Sequence, residues 1–159
     1  MQNLKLLLTR PLQALPNSLA IIILVIAIIG FADAGYLTIE HYQGNVPPCS
    51  ITGGCEKVLT SSYSVVLGVP VSLAGAIYYV IIAAGALAYL EGKHEKIFRW
   101  TLLLTVFGLI FSLWFMSVQA FILDSYCMYC IGSAVSSTLL FIVAGIIFAK
   151  YRSTDTLSA

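Results

Sequence analysis

Apolar residues run along this chain in four long blocks with no polar–apolar alternation inside them. No Asp, Glu, Lys or Arg falls between Arg10 and Asp33, and further charge-free stretches cover 58–90, 100–123 and 125–149. A helix that crosses a bilayer needs ~20 apolar residues rising ~1.5 Å each. The second stretch is too long for one plain helix, and its first part, Val58-Leu59-Thr60-Ser61-Ser62-Tyr63-Ser64, is largely polar. Pro70 suits the first turn of the helix that follows. The pattern predicts spans near 18–42, 69–90, 100–123 and 127–149. In lipid only helices or a closed barrel satisfy every backbone polar group, and runs of this length without alternation exclude a barrel. The expected fold is an all-α membrane protein, a four-transmembrane-helix bundle forming a single domain over 1–159. An outward loop over 44–68 should carry a short amphipathic helix near Glu56–Ser62, with Gly68 and Pro70 turning the chain into the second span. The tail, 153–159, is expected to be disordered, and no soluble domain is expected.

Composition agrees. The chain is 60% hydrophobic and 9% charged, against about 25% charged residues in a soluble domain. A net charge of +1, with no basic run, zinc-finger spacing or RNA-binding signature, gives no reason to expect nucleic acid.

The basic residues orient the bundle. Lys5 and Arg10 precede the first span, Lys93, Lys96 and Arg99 lie between the second and third, and Lys150 and Arg152 follow the fourth. Only Lys57 falls in the other set of loops. Lys and Arg accumulate on the cytoplasmic side, so both termini and the 91–99 loop are expected there, and the 44–68 loop and the Asp124–Tyr126 turn outside. Ala32-Asp33-Ala34 after a basic start and an apolar run also resembles a signal-peptide cleavage site. The helical pattern continues through Tyr36, Leu37 and Ile39, which favours a retained span.

That topology puts all four cysteines, Cys49, Cys55, Cys127 and Cys130, on the outer side, where a bacterial compartment permits disulfides. Cys127 and Cys130 form C-M-Y-C where the fourth span begins, Cys127 at the membrane surface and Cys130 one turn deeper. A helix start favours a thiolate there. Such a pair presents one sulfur to water and the other to a lipid-soluble substrate. Ile131 follows where c-type haem attachment needs His. Cys49 and Cys55 share a loop with Gly53 and Gly54, a segment that fixes no geometry, and a disulfide between them would close a short, mobile ring able to exchange with another thiol pair. Other accounts fit these residues: two structural disulfides, one disulfide from the loop to the fourth helix, or a four-cysteine zinc site, for which C-x5-C is a poor half.

Asp33 is costly within a span and should face the bundle interior or stay hydrated at the outer interface, sharing a face with Tyr36. Glu40 and His41 are expected in solvent. Ser72, Gly75 and Ala76 fit small-residue helix packing. Tyr78, Tyr79, Trp114 and Phe115 suit a ring-binding pocket or a lipid face equally, and none is assigned.

Three segments together resemble the vitamin K epoxide reductase family in its bacterial form. They are the loop C-x5-C followed by Glu56-Lys57-Val58-Leu59-Thr60-Ser61, the stretch Gly68-Val69-Pro70-Val71-Ser72-Leu73-Ala74-Gly75, and Tyr126-Cys127-Met128-Tyr129-Cys130. The likeness extends over about residues 18–149. It implies a bundle enclosing a quinone, capped by the loop. It implies Cys127 and Cys130 as the active-site pair, with Cys130 nearest the quinone, and Cys49 and Cys55 as the shuttle from a partner, with Cys55 attacking Cys127. Ser61 matches the family's serine near the quinone rim, and Asp33 and Ser72 join it as candidate quinone contacts. Some animal members carry tyrosine where this chain has Ala134, and asparagine where it has Val71. Those side chains are linked to vitamin K recognition, so the resemblance points to ubiquinone or menaquinone as electron acceptor. Many bacterial relatives carry a fused thioredoxin-like domain. None is expected here, which implies a separate periplasmic thiol oxidase of the DsbA type as reductant. The expected activity is a thiol:quinone oxidoreductase in a bacterial inner membrane. An enzyme reducing vitamin K epoxide or quinone for its own sake, and a non-enzymatic membrane protein with structural disulfides, are the alternatives.

Overall fold

A computed structural model describes residues 15–49, 53–92 and 94–152. Helix α1 (Asn17–Gln43) leads into the cysteine loop, which holds the five-residue α2 (Cys55–Leu59). Then come α3 (Val71–Gly92), α4 (Glu95–Phe121) and α5 (Met128–Arg152). All four long helices are apolar and long enough to cross a membrane, as the charge-free stretches predict. Their outward faces are apolar too: Ile21, Ile28 and Ile29 of α1, Phe107 and Leu113 of α4, and Val135 and Ile142 of α5 are all exposed. Residues so placed have lipid as their solvent. The 153–159 tail and Lys5, Arg10 and Lys93 lie outside the described residues.

Three boundaries differ from expectation. Helix α4 starts at Glu95, inside the predicted 91–99 loop, and Arg99 is buried within it. A charge ends the lipid-compatible stretch but not the helix, whose hydrogen bonds are internal; Glu95 in the first turn also suits the helix dipole. Pro70 precedes α3, closing a two-strand ribbon, β1 (Val65–Val66) and β2 (Val69–Pro70). The two residues between its strands, Leu67 and Gly68, both have positive φ (54° and 80°), the backbone of the tight hairpin turn that matches strand twist. The predicted short helix is shorter than 56–62: it ends at Leu59, and a 3-10 turn follows over Ser62–Ser64.

The long helices alternate up and down and pack in a ring, α1 against α3, α3 against α4, α4 against α5 and α5 against α1. Along α1 and α3 the contact is made by small residues. Gly30 lies against the ring of Tyr79, where a Cβ would collide, and a Cβ on Gly75 would sit 3.6 Å from that of Ala34. At the end where α4 begins, Tyr89 stacks on Phe98 (centroids 4.8 Å apart) and donates to the Leu15 carbonyl at 3.0 Å. Ile23, Ile82, Phe98, Leu102, Leu140 and Ile147 fill that end with no more than 1% exposure. The cysteines are at the opposite end, away from Lys96, Arg99 and Lys150.

Candidate active site

Cys49 and Cys55 form a disulfide, with Cα atoms 5.7 Å apart, while Cys127 and Cys130 are thiols. Cys55 is the first residue of α2. It is fully buried and packs with Val58 of the same helix against Phe115 of α4 and Cys127, which is also fully buried. The loop therefore covers Cys127, which does not stand in water at the membrane surface as its position in the chain suggests. Gly54 makes this possible. Its Cα lies so close to Tyr126 that a Cβ there would meet the Tyr126 carbonyl oxygen at 2.7 Å and its nitrogen at 2.9 Å. The expectation that the Gly53-Gly54 segment fixes no geometry is thus corrected at Gly54, where the missing side chain lets the loop backbone seat on the start of α5. Tyr129, inside the C-x-x-C, fastens the loop from another side. Its hydroxyl donates to the Pro48 carbonyl at 3.4 Å, and its ring leans on Tyr36 of α1, centroids 5.5 Å apart.

Cys127 is the residue that caps α5. Its carbonyl accepts from Ile131 N–H at 3.0 Å, and its own N–H donates to the Gln119 side-chain oxygen at 2.9 Å. Gln119 is fully buried, and its backbone carbonyl accepts from Ser125 N–H at 3.1 Å. The glutamine thus ties both Ser125 and Cys127 of the turn between α4 and α5, and the Val118 carbonyl accepts from Ile122 and Leu123. The Cys130 thiol and the backbone N–H groups of Cys130 and Tyr129 hydrogen-bond the Cys127 sulfur, and outweigh burial to bring its pKa down to about 7. A thiolate at the start of a helix is the nucleophilic form.

Cys130 touches this cluster and also borders open space. It lines a cavity of about 1000 Å³ enclosed by all four long helices and roofed by the loop. Pockets that hold small molecules are mostly apolar with a few placed polar groups, and this one fits. Asp33, Ser61 and Ser72, the three candidate contacts, all line it. Ser61 Oγ donates to the Val58 carbonyl at 2.7 Å, which leaves its lone pairs for a ligand. Asp33 and Tyr36 do not share a face: Asp33 turns into the cavity, while Tyr36 is exposed beside Tyr129. His41 is exposed and Glu40 half-buried, as expected at the outer end, and both border the cavity mouth. Tyr78, Tyr79, Trp114 and Phe115 belong to the wall as well, a placement their side-chain types did not decide. So do Val71 and Ala134, which make that part of the wall apolar. On the α4 side, Phe107, Ile110, Phe111 and Trp114 line the cavity and are also exposed, so the space opens sideways toward lipid.

Gln119 and Gly54 are the residues that sequence reasoning missed. A glutamine inside an apolar span is a signal in itself, since polar groups there need a partner. Gly54 offers none, because its contact is with a segment seventy residues away.

Residues 21–145 match the vitamin K epoxide reductase family. Over 120 residues the chain is 31% identical to thiol-disulfide oxidoreductase LTO1 of Arabidopsis thaliana, a match taking in 70% of this chain and 32% of that protein. The chain therefore spans about a third of the length of this relative. The match covers most of the bundle, including the loop pair and the C-x-x-C, and the chain belongs to the vitamin K epoxide reductase family, as a multi-pass membrane protein of four helices.

Proposed function

We propose that this chain is a thiol oxidoreductase that makes disulfides and passes the electrons to a membrane quinone. The observation that carries the reading is the division of labour within C-x-x-C: Cys127 packs under the loop cysteine Cys55, and Cys130 lines a membrane cavity open to lipid. In the proposed cycle a reduced thioredoxin-fold partner of the DsbA type attacks the loop disulfide at Cys49, nearer the loop's outer side. The partner leaves oxidised and the loop is left as a dithiol. Cys55 then attacks Cys127 of the oxidised C-x-x-C, and the loop disulfide reforms as Cys127 and Cys130 become thiols. The arrangement in the structure, loop oxidised and C-x-x-C reduced, corresponds to that stage. Electrons then leave through Cys130 to ubiquinone or menaquinone, which must be more oxidising than a partner disulfide at about −120 mV. The cavity suits a quinone as substrate: apolar walls, a lateral opening, a thiol, and two buried polar atoms without a protein partner, Asp33 Oδ2 and Tyr78 OH. The cysteine end would face the periplasm across a bacterial inner membrane, with both termini in the cytoplasm. The placement of Lys96 and Lys150 at the other end supports this orientation.

The test is quinone reduction by purified protein with dithiothreitol as donor, wild type against Cys130→Ala and Cys49→Ala. Cys130→Ala should abolish it. Cys49→Ala should keep it with dithiothreitol and lose it with the reduced protein partner. Equal behaviour of both variants with both donors would sink the relay order. Conversion of vitamin K epoxide in preference to quinone would shift the assignment to epoxide reduction. Cysteines that stay oxidised and unreactive, in folded protein that reduces nothing, would mean structural disulfides.

A further inference from the structure

Among the described residues, Asp33 Oδ2 and Tyr78 OH are buried side-chain atoms without a hydrogen-bond partner, and both residues line the same cavity. Most other hydroxyls on that wall are engaged. Ser61 and Ser64 donate to carbonyls at 2.7 and 2.8 Å, and Ser112 and Ser137 bond each other at 2.6 Å. The contrast is sharpest between neighbours on α3. Tyr79 reaches α5 and donates to the Ser133 carbonyl at 2.8 Å. Tyr78, whose ring meets that of Tyr79 edge-on with centroids 5.0 Å apart, aims its hydroxyl past Gly108 of α4, where any Cβ would collide with it. A tyrosine oxygen given that space and no protein acceptor is placed for something else. Asp33, from α1, stands on the α5 side. It lies within electrostatic range of both Cys127 and Cys130, and a Cβ on Gly132 would sit 4.0 Å from its Oδ1.

We propose, building on the quinone reading above, that Tyr78 and Asp33 meet the two ring oxygens of the substrate: Tyr78 as the hydrogen-bond donor that fixes the ring, Asp33 as the acid that supplies a proton to it. The electron and proton count requires such an acid. Reducing a quinone to a quinol takes two electrons and two protons. When Cys127 and Cys130 close to a disulfide from the thiolate–thiol state, the S–S bond forms and two electrons leave, but the Cys130 S–H bond releases only one proton. The second comes from the Asp33 carboxyl, which is left as a carboxylate. Water at the cavity mouth returns the proton, along the α1 face that carries Glu40 and His41 into the same cavity. Among the described residues, the remaining titratable groups on the wall are Tyr79 on α3 and Cys130 on α5; α4 contributes none, and no described Lys or Arg lines it.

The experiment compares full-length wild type, Tyr78→Phe, Asp33→Asn and Asp33→Glu, each shown by alkylation to keep the loop disulfide and the two thiols. Binding of ubiquinone-1 is measured by calorimetry, and turnover is measured with dithiothreitol. Tyr78→Phe should weaken binding about tenfold, the worth of one hydrogen bond. Asp33→Asn should bind within threefold of wild type but lose about 100-fold in kcat, the scale of a missing general acid. Asp33→Glu, or acetate added to Asp33→Asn, should recover part of the rate. Wild-type binding by Tyr78→Phe, or wild-type kcat in Asp33→Asn, would overturn the assignment while leaving the quinone reading intact. A wild-type protein that neither binds nor reduces the quinone would overturn both.

Discussion

At the end away from the cysteines the four helices close on one another, and at the cysteine end they stand apart around a cavity of about 1000 Å³. The closed end is filled by Phe98, Leu102, Ile82 and Leu140, with Tyr89 joined to Leu15. The open end is held by a few specific contacts: a disulfide, a buried glutamine and a glycine pressed against a backbone. Lipid does not drive helices together as water does, so association depends on van der Waals packing and hydrogen bonds. A bundle can therefore stay hollow at one end only if the other end supplies the packing. Stability and chemistry are thus separated along the helix axis.

Substitutions at the two ends should differ accordingly. The largest loss of stability is expected from Phe98→Ala in the closed end, roughly 3–5 kcal/mol, seen as earlier thermal unfolding in detergent, with normal turnover by the fraction that stays folded. A loss below ~1 kcal/mol would show that this end is not the clamp. Gly30→Val comes next. Its side chain meets the Tyr79 ring, and overpacking of this kind costs about 1–3 kcal/mol. Because Tyr79 bonds α5 at Ser133, turnover should fall with it; unchanged turnover would mean that the two ends are uncoupled.

Gln119→Leu should cost about 1–2 kcal/mol, since it leaves the buried Cys127 N–H without an acceptor. Its sharper signature is in pH. The Cys127 pKa is lowered to about 7, so the thiolate is present above that pH and lost below it. Turnover with dithiothreitol should therefore decline as pH falls through about 7. If the glutamine orients the capping turn, its loss moves that midpoint upward, toward an ordinary thiol at about 8.5. A midpoint that stays put would make Gln119 a structural tie alone. The smallest stability change, under ~1 kcal/mol, is expected from Phe111→Ala, because its ring already borders open space. Its effect should appear in the KM for quinone instead, and a large destabilisation there would contradict a preformed cavity.

Much of this was legible in the chain itself. The four spans follow from charge-free length, and the grouping of the cysteines opposite Lys96 and Lys150 follows from the order of loops. Cys130 sits deeper than Cys127, as three residues of helical rise demand. Asp33 stands out in the sequence because a carboxyl inside a span is costly. The sequence was silent where a residue's role depends on what lies across from it. Tyr78 and Tyr79 are neighbours of one type, yet one bonds Ser133 and the other lines the cavity with its hydroxyl unpartnered beside Gly108. Asp33 lines the cavity, while Tyr36, three residues on, is exposed beside Tyr129.

What the sequence determined alone is therefore the number of helices, their up-and-down order and the presence of two cysteine pairs near one end, because lipid solvation acts on each segment locally and lets few charges pass. Tertiary structure decided that the loop seats over Cys127, that Gln119 holds the capping turn, and that the helices enclose a cavity reaching Cys130. Those outcomes depend on close approaches between segments far apart in the chain, such as Gly54 on Tyr126, and the fit of two surfaces is not written in either one.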